Sequence, residues 1–296
     1  MKALENTDSF RIENGNDFRL SDHATLLPGD VDKDGLKRSV EEDRALIIDL
    51  QEKLFAEGSR ALLLIFQAMD ASGKDSCVRH VLAGVDPQGV QCWSFKAPSD
   101  EERAHDFLWR HANAIPAVGH IGVHNRSHYE EVLVVKVHPE FVLGQHLPGI
   151  TAEKDIDRAF WEARYASIRE FEARLVQQGV VIMKFHLRMD KSAQRERLLE
   201  RLDDPKKNWK FKLGDLRERE RWDDYMRVYE EAIAATSSPS APWYIVPANE
   251  QWETRAAVAR LVREQLDRMD PRPPVLSAKA KADLEEGRKL LRAERP

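Results

Sequence analysis

The chain has 296 residues, 42% hydrophobic and 33% charged, with a net charge of −5. That length accommodates one α/β unit with added segments and buries a substantial core without disulfide or metal staples. The negative balance argues against broad nucleic-acid binding, and the longest apolar runs, 62–66 and 132–135, are far too short to span a bilayer. Cys77 and Cys92 fit neither a metal nor a disulfide spacing, and the first residues lack the apolar stretch of a secretion signal. Both features read as a cytoplasmic protein with reduced thiols.

Residues 1–35 are polar and broken by Gly15, Pro28, Gly29 and Gly35, which predicts an extended arm lying on the body. From Leu36, apolar residues recur at Val40, Ile47, Leu50 and Leu54, a helix face that Gly58 ends. Ala61 to Phe66 is a continuous apolar run, suited to a strand buried on both faces of a parallel sheet. A loop, a helix from Asp75 to Leu82 and a strand from Val90 to Phe95 follow. Ser99 with Glu102 three residues on is a capping-box pattern that opens another helix. Val118 to His124 is strand-like, and after 125–138 a long helix carries Ile156, Phe160, Ile168, Phe171 and Leu175 on one stripe. Gly179 stops it before the strand-like Val180 to Leu187. Trp243 to Pro247 is a last strand, Glu250 to Met269 a closing helix, and the tail from Asp270 is peripheral. Strands alternating with helices imply βαβ units, hence an α/β fold with a mostly parallel sheet covered on both faces.

Three stretches carry chemistry. The first, Ala68-Met-Asp-Ala-Ser-Gly-Lys-Asp75, lies between a strand and a helix and approximates the phosphate-loop pattern G-x-x-x-x-G-K-[ST]. Backbone N–H groups over Ala71, Ser72, Gly73, Lys74, Asp75 and Ser76 can surround phosphate oxygens, while Lys74 supplies a mobile charge. Ala68 replaces the first glycine and Asp75 the usual hydroxyl residue. Asp70 inside the loop would repel phosphate unless a metal intervenes, so it reads as a magnesium ligand; an Asx-type turn is the alternative.

The second stretch, Asn125-Arg-Ser-His-Tyr-Glu130, closes a strand, where functional residues of open α/β sheets gather. Arg126 can grip phosphate through two parallel hydrogen bonds, and Asn125 can serve a metal or a phosphate. Glu130 follows one helical turn on, and a helix cap with a solvated charge is the plain alternative. The third, 205–221, sets seven basic residues against three acidic ones, with Trp209 and Phe211 interleaved. It reads either as a solvated face or as a basic lid closing over an anion, followed by a helix that buries Trp222, Met226, Tyr229 and Ile233.

In order, Gln-Ala-Met-Asp-Ala-Ser-Gly-Lys-Asp at 67–75, Asn-Arg-Ser-His-Tyr-Glu at 125–130 and Trp-Lys-Phe at 209–211 with Gly-Asp at 214–215 resemble the polyphosphate kinase 2 family. Ala-Pro-Trp-Tyr-Ile-Val-Pro-Ala-Asn at 241–249 is similar to it as well, and the resemblance runs from about 20 to about 268. It implies a three-layer α/β/α P-loop kinase-like fold over 36–269, with an arm at 1–35, a helical lid at about 204–235 and a tail at 270–296. It implies phosphoryl transfer between inorganic polyphosphate and adenine nucleotides, with guanine nucleotides as a further option. Magnesium would assist, with manganese as a substitute.

By position, Asp70 would orient acceptor phosphate or metal, with Asn125 as a second metal partner. Lys74 would hold the transferring group, Arg126 would clamp it, and Lys206, Lys207 and Lys210 would line the lid. Many members have Asp where this chain has Asn125; the Asn-and-Glu form resembles the class III branch, which accepts both AMP and ADP. The resemblance also suggests a homo-oligomer, a dimer or tetramer. An ATP-dependent nucleoside monophosphate kinase would share loop, lid and fold class, and is the competing reading.

Overall fold

Seven consecutive buried residues, Ala61–Gln67, form the strand around which the chain is arranged. The computed structural model describes residues 4, 6–29 and 31–294; the remaining residues of the expected arm and tail lie outside the described ones. Among the described residues the strands are β1 (Arg11–Ile12), β2 (Ala61–Gln67), β3 (Val90–Ser94), β4 (Ile121–Asn125), β5 (Val180–Arg188) and β6 (Trp243–Pro247). The helices are α1 (Lys33–Glu57), α2 (Lys74–Val81), α3 (Asp100–Arg103), α4 (Trp109–Ala112), α5 (Val134–Val137) and α6 (Glu140–Leu143). They continue with α7 (Arg158–Gln177), α8 (Lys191–Asp203), α9 (Leu213–Glu220), α10 (Trp222–Thr236), α11 (Gln251–Met269) and α12 (Ala278–Ala293).

The sheet order is β1-β6-β5-β2-β4-β3, parallel throughout except for β1 against β6. Strand alternation divides the core into two layers. Leu62, Leu64 and Phe66 of β2 pack with α1, α2 and α11, whereas Ala61, Leu63 and Ile65 pack with α5, α7 and α10. This is the three-layer α/β/α arrangement that the motifs implied. Register then positions the site: Phe66 pairs with Asn125 on one side of β2 and with Phe185 on the other. The loops leaving β2 and β4 therefore emerge side by side at the carboxyl edge of the sheet.

Several boundaries differ from the sequence reading, each for a local reason. The helix expected from Leu36 begins at Lys33, because Asp32 caps it by accepting from the Asp34 and Gly35 N–H groups. The arm is more than a covering: Leu4, Phe10 and Leu27 enter one core layer, Phe18 and Leu20 enter the other, and β1 extends the sheet. The Ser99–Glu102 capping box forms, yet its helix lasts one turn. The strand expected from Val118 starts at Ile121, since Gly119 turns the chain at φ 83° and Val118 is exposed. Met226 is half-buried, while Tyr225, Val228 and Ala232 join Trp222, Tyr229 and Ile233 inside.

α1 and α11 are locked by one buried carboxylate. Asp43 accepts from Arg260 Nε at 2.9 and 3.0 Å and from Arg263 Nε at 3.2 Å. The guanidiniums keep part of their surface in water, so the loss on removing the charge should fall below the 3–5 kcal/mol of a wholly buried pair. Asp43→Asn should lower unfolding stability by about 2 kcal/mol in urea titration, with the far-UV spectrum of the folded protein unchanged.

Candidate active site

The loop after β2 is built around two left-handed residues, Ala71 at φ 64° and Gly73 at φ 97°. The second costs nothing for glycine; the first is strained for alanine and is held by bonds from outside the loop. Gly73 is also the N-cap of α2, so the loop's N–H groups and the helix end address the same space. Lys74 folds back over this loop: its Nζ donates to Ala68 C=O at 2.6 Å and to Met69 C=O at 3.2 Å. The side chain is buried, which pushes its pKa down against the raising pull of Asp70.

Arg126, likewise left-handed at φ 61°, is tied by its N–H to Phe66 C=O at 3.1 Å. Its Nη2 donates to Asp70 Oδ1 at 2.9 Å. Burial alone would raise the Asp70 carboxyl, yet Lys74 and Arg126 beside it hold it below the ordinary carboxylate range. Glu130 lies behind this group, and burial pushes its pKa up against Arg126 and Lys74. With the Gln67 amide turned to satisfy both neighbours, its nitrogen donates to Glu130 Oε1 at 2.8 Å and its oxygen accepts from Ser127 N–H at 3.0 Å. Asn125 Nδ2 donates to Asp75 Oδ1. The structure thus brings Asp70, Lys74, Asp75, Asn125, Arg126 and Glu130 into one cluster at the carboxyl ends of β2 and β4.

Two cavities meet at this cluster. One, of about 610 Å³, runs along Asp70–Ser76 and is lined by eight cationic side chains against three carboxylates. Ser72 Oγ is buried there without a protein partner. The other, of about 510 Å³, is largely apolar and lies between Phe95–Pro98, the α5–α6 segment, Glu218 of α9 and Tyr225 and Tyr229 of α10. Asp70 and Arg126 line both. Of the three lysines expected to line a lid, Lys207 and Lys210 line the cationic cavity, whereas Lys206 does not. Lys207 is paired with Glu200 and Asp204, and Lys210 lies over the exposed Trp209 ring at 5.1 Å.

Sequence reading missed the brace beneath the loop. α8 has few apolar residues and so a faint periodicity, but Asp190 caps it by accepting from Ala193 N–H. From it, Gln194 Nε2 donates to Asp70 C=O at 3.0 Å. Arg197 donates to four carbonyls: Ala71 at 3.1 Å, Ser72 at 2.7 Å, Ala248 at 2.7 Å and Asn249 at 2.8 Å. On the other side Arg255 Nη2 donates to Ser76 Oγ at 2.8 Å while stacked on Trp252. The signal was present as a Gln-x-x-Arg spacing on one helix face, but nothing local marks its partners. Arg197→Lys should leave the fold intact and lower kcat about tenfold or more, because an ammonium cannot span two pairs of carbonyls. Circular dichroism and steady-state kinetics check this.

Known proteins place the chain. A sequence model of the polyphosphate kinase 2 family matches residues 30–274. The chain is 44% identical over 262 residues to the ADP-polyphosphate phosphotransferase of Rhodopseudomonas palustris, covering 88% of this chain and 90% of that one. It is 43% identical over 233 residues to the AMP/ADP-polyphosphate phosphotransferase of Meiothermus ruber, covering 78% and 82%. Its structure matches the crystal structure of polyphosphate kinase 2 from Arthrobacter aurescens TC1 with a TM-score of 0.85 at 42% identity, over 96% of this chain and 98% of that one. The chain belongs to the polyphosphate kinase 2 family.

Proposed function

We propose that the protein transfers phosphoryl groups from inorganic polyphosphate to AMP and ADP. The reading rests above all on the Asp70–Arg126 pair forming a shared wall between a cationic and a largely apolar cavity. A polyanion suits the first cavity, and a nucleoside with one charged end suits the second. The relatives' names, which include both AMP and ADP as acceptors, support the same division. The competing ATP-dependent monophosphate kinase has no observation in its favour. Adenine is the base we assign, with guanine as a secondary acceptor, in a homo-oligomeric cytoplasmic enzyme. No described helix is long and apolar enough to cross a membrane.

In-line phosphoryl transfer asks the protein for position and charge neutralisation more than for covalent chemistry. A nucleotide phosphate is largely ionised near neutral pH, its second pKa being about 6, so no general base is needed. Lys74 would leave the loop carbonyls for the transferring group, and Arg126 would exchange Asp70 for phosphate oxygens. Ser72 Oγ and the loop N–H groups add neutral donors. Among the described residues no group of three or more His, Cys, Asp or Glu could hold a metal by itself. Asp70 and the amide oxygen of Asn125, whose nitrogen is taken up by Asp75, nevertheless fit a magnesium ion, since that ion takes few protein ligands and completes its shell with phosphates and water. When bound, it would neutralise phosphate charge; manganese is the substitute we expect to work.

Incubation of AMP, and separately ADP, with polyphosphate and magnesium in the absence of ATP should yield ADP and ATP. Formation of nothing without added ATP would instead favour the monophosphate kinase. Lys74→Ala should keep its far-UV spectrum and lose at least the 2.7–4 kcal/mol, about 10²–10³ in kcat, of a single electrostatic donor. Neutralising Lys207 and Lys210 together should raise KM for polyphosphate and flatten its salt dependence, with KM for ADP unchanged; Lys206→Ala should do less.

A further inference from the structure

Lys184 sits in the middle of β5 with no solvent exposure, on the strand face turned to α7 and α10. An ammonium at that depth is costly unless every donor is placed. All three are. Nζ donates to Glu172 Oε2 of α7 at 2.7 Å, to the Tyr129 hydroxyl at 3.0 Å and to Thr236 C=O at 2.8 Å. Tyr129 in turn donates to Glu172 Oε1 at 2.7 Å, and His128 Nε2 stands 3.4 Å from that oxygen. Burial alone would raise Glu172, but Lys184 holds its carboxyl below the ordinary range.

The partners come from two separate walls of the site. Tyr129 and His128 follow within three residues of Arg126, whose own backbone must be held in the left-handed region. Thr236 is the last residue of α10, the helix whose Tyr225 and Tyr229 line the apolar cavity. Its carbonyl belongs to the unsatisfied group at a helix C-terminus, where a cation is favoured. Packing does not require this chemistry, because apolar residues of similar volume often replace a buried ion pair without loss of stability. What the ion pair adds is direction: its hydrogen bonds fix a loop and a helix end at set distances from one point.

We propose that the Lys184–Glu172 pair is a positioning device that ties the Arg126 loop and the C-terminal end of α10 to one anchor, keeping Arg126 in register with the α10 wall of the apolar cavity. This rests on the role given to Arg126 above. The test compares the full-length wild type with Lys184→Met/Glu172→Leu together and with Tyr129→Phe, by thermal unfolding, amide exchange over 125–132 and kinetics with ADP and polyphosphate. The double variant should fold, with an unfolding temperature lowered by several degrees because the Tyr129 hydroxyl and Thr236 carbonyl lose partners, and with faster exchange confined to 125–132 and the end of α10. Its kcat should fall by about tenfold to a hundredfold at unchanged KM, the scale of a small misplacement.

Tyr129→Phe should lower kcat several-fold alone and add nothing in the double background. Wild-type exchange at 126–130, or wild-type kcat, in the folded double variant would overturn the proposal. If the double variant fails to fold, Tyr129→Phe decides by the same two readouts. An inactive wild type would defeat the proposed function, and the exchange data would still decide for or against the anchor.

Discussion

Concentrating cations at one edge of a sheet sets the terms for everything around it. Lys74, Arg126, Arg197 and Arg255 crowd the end of β2, and their mutual repulsion in a partly buried place must be balanced before any substrate arrives. Each has been given a different counterweight: loop carbonyls for Lys74, a carboxylate for Arg126, four carbonyls for Arg197, and a hydroxyl and an indole for Arg255. The loop's strained Ala71 survives because these bonds over-determine it. The parallel register of β2, β4 and β5 makes the arrangement possible, since it delivers three segments that are distant in sequence to the same edge of the sheet.

The fold was legible where periodicity is strong and local. The buried run 61–67, the stripes of α1, α7 and α11, and the short strand at 243–247 all announce themselves within windows of ten to twenty residues. Boundaries failed where a single backbone device decides, as at Gly119 or at the Asp32 cap. α8 was silent because its face toward the loop is polar, and polar faces carry no hydrophobic period.

Among the site residues, legibility followed type rather than distance. Lys74, Asp70 and Arg126 sit in stretches whose composition is odd for plain loops, so each stands out alone. Arg197 and Lys184 do not: an arginine on a helix and a lysine in a strand are ordinary letters until four carbonyls or a glutamate from elsewhere surround them. Long-range partners define these two, and no single-sequence window contains them. Lys206 is the opposite case, a residue whose charge fits the expected pattern but whose side chain does not line the cationic cavity.

Lys74 lying on its own loop has a kinetic consequence. Because the free protein already satisfies the groups that would receive phosphate, binding is a swap of partners, and its net yield is a small difference between two well-bonded states. On the proposed reading, tight ground-state capture would thereby be avoided, and the full strength of these contacts would be kept for the moment when charge is spread across the transferring group. A site balanced in this way would also release its anions readily.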